Sequence, residues 1–77
     1  MNPATNLTDM LNKATSSQIE SADHECYRIN FLGNKGEVEL WLDPAFETLS
    51  LQDGDLSTNE VSLLKGYCRQ EGYHAEL

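Results

Sequence analysis

Apolar residues recur along this chain with two different periods. Leu7, Met10, Leu11 and Ala14 fall at i, i+3, i+4 and i+7, the stripe of an amphipathic helix. Thr5 or Asn6 is placed to cap its start, and Asp9 reads as a first-turn acid that suits the helix dipole. The pattern fades at Thr15-Ser16-Ser17, although Ile19 and Ala22 allow a longer helix.

From Cys26 the period becomes two. Tyr27, Ile29 and Phe31 alternate with Cys26, Arg28 and Asn30, as in a half-buried strand. Gly33-Asn34-Lys35-Gly36 predicts a tight turn, and Val38, Leu40 and Leu42 alternate with Glu37, Glu39 and Trp41 in a second strand. Asp43-Pro44-Ala45-Phe46 predicts another turn, followed by a third strand over Thr48, Leu49, Ser50 and Leu51 that stops at Asp53-Gly54-Asp55.

Strand register follows from matching apolar faces. Pairing Leu32 with Glu37 places Phe31 opposite Val38, Ile29 opposite Leu40 and Tyr27 opposite Leu42. Pairing Leu42 with Glu47 places Leu40 opposite Leu49 and Val38 opposite Leu51. A slip by one residue turns each strand's apolar set to the wrong side.

Ser57-Thr58-Asn59-Glu60 is a capping box opening a second helix, with Val61, Leu64 and Cys68 on its apolar stripe, widened by Leu63 and Tyr67. Gly72 stands where a C′ glycine belongs. Alternation of Tyr73, Ala75 and Leu77 leaves room for a short fourth strand or a frayed tail.

The expected fold is therefore α+β: an N-terminal helix, a three-stranded antiparallel meander with room for a short C-terminal strand, and a C-terminal helix packed on one sheet face. Its expected core is Tyr27, Ile29, Phe31, Val38, Leu40, Leu42, Leu49, Leu51, Val61, Leu64 and Cys68. Seventy-seven residues suit one small domain over 1–77, with 1–5 read as a flexible lead-in.

Composition narrows the functional classes. Thirteen Asp/Glu against five Lys/Arg give −8, the wrong sign for direct nucleic-acid binding. Residues 23–56 alone hold eight acids against Arg28 and Lys35, so −6 of the charge belongs to the sheet segment. No apolar run is long enough to span a bilayer, and no secretory signal or lipidation motif is apparent. Two cysteines make no disulfide framework, so a reduced cytoplasmic setting is expected.

The register also assigns the second sheet face. Arg28, Asn30 and Leu32, then Glu37, Glu39 and Trp41, then Thr48, Ser50 and Gln52 share it, with Trp41 central and opposite Arg28 and Thr48. Trp and Arg are enriched at binding hot spots. Trp41, Arg28, Glu37, Glu39, Asn30 and Thr48 thus form a candidate platform for a protein partner, a basic one being the natural complement. The competing reading has the N-terminal helix fold over this face and bury Trp41.

Other chemistry has less to stand on. His24, Cys26, Cys68 and His74 are metal-binding residue types, but their spacing fits no compact zinc motif. Cys26 and Cys68 also belong to opposite faces, which argues equally against a disulfide. No nucleophile has a base in reach, no phosphate loop is present, and neither enzyme activity nor a cofactor is expected. Two rival functions remain. Glu37, Glu39, Asp43, Glu47, Asp53 and Asp55 can imitate a row of phosphates and occupy a nucleic-acid-binding protein. Alternatively, the polar face or an uncovered sheet edge makes a homodimer.

Overall fold

The computed structural model describes residues 4–21 and 24–77. The fold is α+β, in the order α1 (Thr5–Leu11), β1 (Thr15–Ser21), β2 (His24–Gly33), β3 (Gly36–Asp43), β4 (Thr48–Asp53), α2 (Thr58–Glu71) and β5 (His74–Glu76). One five-stranded sheet has the spatial order β1-β2-β3-β4-β5. The first four strands form an antiparallel meander, and β5 lies parallel to β4 after the α2 crossover. The fourth strand of the sequence reading is β5, tied in where the His74 N–H donates to the Glu47 carbonyl at 2.7 Å.

Even with the optional C-terminal strand counted, the sequence predicts one strand too few. Thr15–Ser21 is a full strand, paired without interruption from Thr15 opposite Asn30 to Ser21 opposite His24, where a fading helix was expected. Its helix-side positions Ser16, Gln18 and Glu20 are polar and exposed. It is held by the ladder to β2 more than by burial, so no apolar alternation announces it. The longer helix toward Ala22 is excluded as far as Ser21, and Ala22 itself lies outside the described residues.

Helix α1 also starts and stops differently from expectation. Its N-cap is Ala4, with no side-chain cap from Thr5 or Asn6, and no acid lies in its first turn. Thr8 instead donates its hydroxyl to the Ala4 carbonyl at 2.6 Å. Asn12 and Lys13 take positive φ of 48° and 65° where the chain turns from α1 into β1. Of the expected flexible lead-in, residues 1–3 lie outside the described residues, while Ala4 is fully buried.

Between β2 and β3 every expected pair is found, from Tyr27 with Leu42 to Leu32 with Glu37. Between β3 and β4 the faces are right but the pairing is two residues out. Leu42 meets Leu49 and Leu40 meets Leu51, and Asp43 rather than Leu42 closes the ladder, opposite Thr48. This register removes the Leu42–Glu47 mismatch, because Glu47 moves into the turn at φ 53°. Asp43 directs that turn, its Oδ1 accepting the Ala45 and Phe46 N–H groups at 3.1 and 3.2 Å, as an Asx-type turn does. Beyond Leu51 a bulge sets Asp53 opposite Glu39. At Gly54 (φ 89°) a Cβ would approach the Glu37 carbonyl oxygen to 2.3 Å, so only glycine fits this crossing.

Both helices pack on the same sheet face. Ala4 and Leu7 from α1 and Leu64, Tyr67 and Cys68 from α2 share one core with Ile29, Phe31, Val38, Leu40, Leu42 and Leu49. Tyr27 and Leu51, expected inside, are half-buried against that core. Val61 is half-buried and stands apart from it, and Tyr67 takes the interior place instead. The first turn of α2 lies toward the β2–β3 hairpin tip. There Glu60 Oε2 accepts the Asn34 N–H at 3.0 Å and Asn34 Nδ2 donates to Ser57 Oγ at 3.0 Å. The capping box forms as predicted, with Ser57 Oγ accepting the Glu60 N–H and Glu60 Oε1 accepting the Ser57 N–H. Gly72 closes α2 at φ 79°.

Ser57 therefore serves the helix cap and the hairpin tip together, and Ser57→Ala is expected to cost about 1–2 kcal/mol in denaturant unfolding. The Glu60 carboxyl is held below its ordinary range, first by the Ser57 backbone N–H and then by that of Asn34. A depressed carboxyl stabilises the fold above its unfolded pKa and loses that contribution as pH falls through the folded value. Thermal unfolding of wild type and Glu60→Gln is thus expected to differ near neutrality and to converge as pH falls below the ordinary carboxyl pKa of about 4.3 and through the lowered folded value.

Candidate functional site

With α1 and α2 on one side, the other side of the sheet has no helix over it among the described residues. Alternation along the strands and the observed pairing assign its residues: Ser17 and Ile19 from β1, His24, Cys26, Arg28, Asn30 and Leu32 from β2, and Glu37, Glu39, Trp41 and Asp43 from β3. Thr48 and Ser50 from β4 and His74 and Glu76 from β5 complete it. Among these residues only Cys26 is buried. The competing reading, in which α1 covers Trp41, is therefore contradicted: α1 gives its apolar stripe to the core on the opposite face.

Trp41 occupies the centre, half-buried, with Arg28 opposite on β2 and Ser50 opposite on β4. The sequence register put Thr48 in the position Ser50 holds. The corrected pairing moves Thr48 beside Asp43 and His74, away from the tryptophan. The Trp41 indole N–H donates to Glu39 Oε2 at 3.0 Å, and Arg28 Nε lies 3.7 Å from Glu39 Oε1. One carboxylate thus fixes the ring and faces the guanidinium. This leaves the indole's polar edge satisfied and its apolar body available on the surface.

Beside the β2–β3 hairpin, Asn30, Leu32, Glu37 and Glu39 of this face join Phe31 and Val38 of the core side and Asp53 in lining a groove of about 500 Å³. The bulge in β4 brings Asp53 opposite Glu39, so three carboxylates border it. Leu32, 79% exposed, stands at its rim. The sequence reading placed Asp53 in a terminating turn. Its position here depends on a bulge, which apolar alternation does not reveal.

At the far end lies a second cluster that the sequence reading did not assemble. His24 Nε2 lies 2.8 Å from Asp43 Oδ2, and the Phe46 ring meets the His24 ring edge-on at 4.9 Å. Phe46 is nonetheless 69% exposed. The signal for Asp43 was present in Asp43-Pro44-Ala45-Phe46, since an Asp opening a turn binds the following N–H groups. The histidine's approach depends on the β2–β3 pairing.

The four metal-binding residue types are not brought together. Cys68 belongs to the core under α2, while His24, Cys26 and His74 are on the other face. Among the described residues no group of three or more His, Cys, Asp or Glu is arranged to hold a metal ion. Both thiols are free and buried. Burial raises the pKa of each, and Asp43 adds to the effect at Cys26, so both are held as neutral thiols. Among the described residues no helix is long and apolar enough to cross a membrane.

Compared with protein-family models, curated proteins and solved structures, the chain matches none.

Because the chain has one tryptophan, its fluorescence reports this site alone. Glu39→Ala is expected to leave the indole N–H without its partner and loosen the ring, raising the acrylamide quenching constant of Trp41. Glu39→Gln retains an acceptor oxygen and is expected to stay close to wild type.

Proposed function

We propose that this protein is a non-enzymatic interaction module that binds a basic protein partner through the helix-free sheet face around Trp41. The single observation that carries the reading is the placement of both helices on one side of the sheet, with Trp41 half-buried at the centre of the other. An aromatic side chain with its N–H already satisfied offers a large apolar contact without an unmet polar group.

The surrounding charge selects the partner. Glu37, Glu39, Asp43 and Glu76 share the face, Asp53 borders its groove, and Arg28 is the opposing full cation, already facing Glu39. A cationic surface approaching this face gains in encounter rate and orientation, while an acidic one is repelled. In this reading Trp41 supplies the contact, and Glu37, Glu39 and Asp53 receive Lys or Arg side chains at the groove. Thr48 is peripheral, and Ser50 takes the central position first expected of it. A reduced cytoplasmic setting belongs to the same reading, supported by two cysteines that are both free.

The test is capture on immobilised wild type, Trp41→Ala and Glu37→Gln/Glu39→Gln, with each variant's fold checked by circular dichroism. The expected result is a partner with a cationic surface held by wild type and lost by Trp41→Ala. The Glu37→Gln/Glu39→Gln variant is expected to release it at lower salt. Retention by folded Trp41→Ala overturns the reading. If binding instead depends on the carboxylates alone and the partner is a nucleic-acid-binding protein, phosphate mimicry replaces it.

A further inference from the structure

The two edges of the sheet are unequal. At one end β5 spans three residues, His74–Glu76. At the other β1 spans seven, Thr15–Ser21, with β2 on one side and, among the described residues, no strand on the other. An open edge presents a row of backbone N–H and C=O groups able to pair with another strand, and folds usually blunt it with lysine, proline, a bulge or shortness. β5 is short. β1 contains no lysine and no proline, and its pairing with β2 runs without a bulge.

The geometry points to a second copy of this chain as the occupant of the β1 edge, in an antiparallel dimer whose two-fold axis passes at Gln18. Charge and register both favour it. The molecule carries −8, but the seven residues of β1 contribute a single charge, Glu20, so little like charge opposes a second copy along this edge. A two-fold at Gln18 sets Gln18 against Gln18, Ser17 against Ile19, Ser16 against Glu20 and Thr15 against Ser21. Glu20 then faces a serine and no like charges stand opposite. An axis perpendicular to the sheet keeps side chains on their own faces, since paired residues share a side. The product is a continuous ten-stranded sheet with all helices on one side and both Trp41 faces on the other. Pairing like edge with like edge closes the assembly at two, and the short β5 edge left at each end offers little for further growth.

This inference does not depend on partner binding, and salt separates the two. Dimerisation brings together copies of like net charge and is expected to tighten as salt screens them, whereas binding of a cationic partner is expected to weaken.

Sedimentation equilibrium across a concentration series tests the dimer with wild type, Gln18→Lys and Gln18→Glu. Gln18 is exposed, and circular dichroism checks that both variants fold. Each variant sets like charges against each other at the axis and is expected to weaken association about three- to fivefold. An equimolar mixture sets opposite charges there and is expected to restore it. Amide exchange on wild type needs no variant: β1 amides are expected to gain protection as concentration rises. Three results overturn the inference: a species of 8.6 kDa at every concentration up to about 1 mM, a dimer indifferent to both substitutions, or a mixture no tighter than its components.

Discussion

Ile29, Leu40 and Leu51 stand in register across β2, β3 and β4, with Tyr27, Leu42 and Leu49 in the next row, and the rest of the molecule is arranged around this apolar surface. Ile29, Leu40, Leu42 and Leu49 are fully buried, each stabilising the fold by about 1.5–3 kcal/mol through removal from water. A chain of 77 residues has apolar side chains for one such layer. Leu7 and Leu64 are both drawn to it, so both helices end on the same side. The other face is left to Trp41 and its polar neighbours because the core requires every helix elsewhere.

This constraint also explains what was legible in the sequence. The β2–β3 hairpin could be read to the residue because the inward residues of its paired rows, Tyr27, Ile29, Phe31, Val38, Leu40 and Leu42, are all apolar, and the capping box at Ser57 and Glu60 marked the start of α2. Between β3 and β4 apolar matching located the faces, but a shift by two preserves every face. The deciding features were Asp43, which holds the turn through its own carboxylate, and Glu47, which accepts a left-handed backbone. Strand β1 was illegible for the opposite reason: its helix-facing residues are Ser16, Gln18 and Glu20, and only Ile19 on the other face is apolar. An edge held by backbone pairing leaves little trace in hydrophobic pattern.

The candidate site was legible in part for the same reason. Strand alternation put Arg28, Asn30, Glu37, Glu39 and Trp41 on one face, and they share it. Thr48 was displaced by the register shift, and the Asp53 side of the groove arises from a bulge. The joining of Trp41 and Arg28 through one Glu39 carboxylate is a side-chain geometry that spacing does not disclose. The excess negative charge takes on a definite meaning once placed. It lines the groove and the central strand of the helix-free face, while the β1 edge stays nearly neutral. One molecule thus offers two surfaces of opposite character: an acidic face with an aromatic centre, and a backbone edge with almost no charge.

The account rests on the helix-free face being open in solution, and solvent relaxation enhancement measures this directly. With a neutral gadolinium chelate in the buffer, the Trp41 ring is expected to relax strongly, while the methyl groups of Ile29, Leu40 and Leu64 stay shielded. A Trp41 ring as protected as Leu40 would mean that part of the chain folds over this face, and the account would fail.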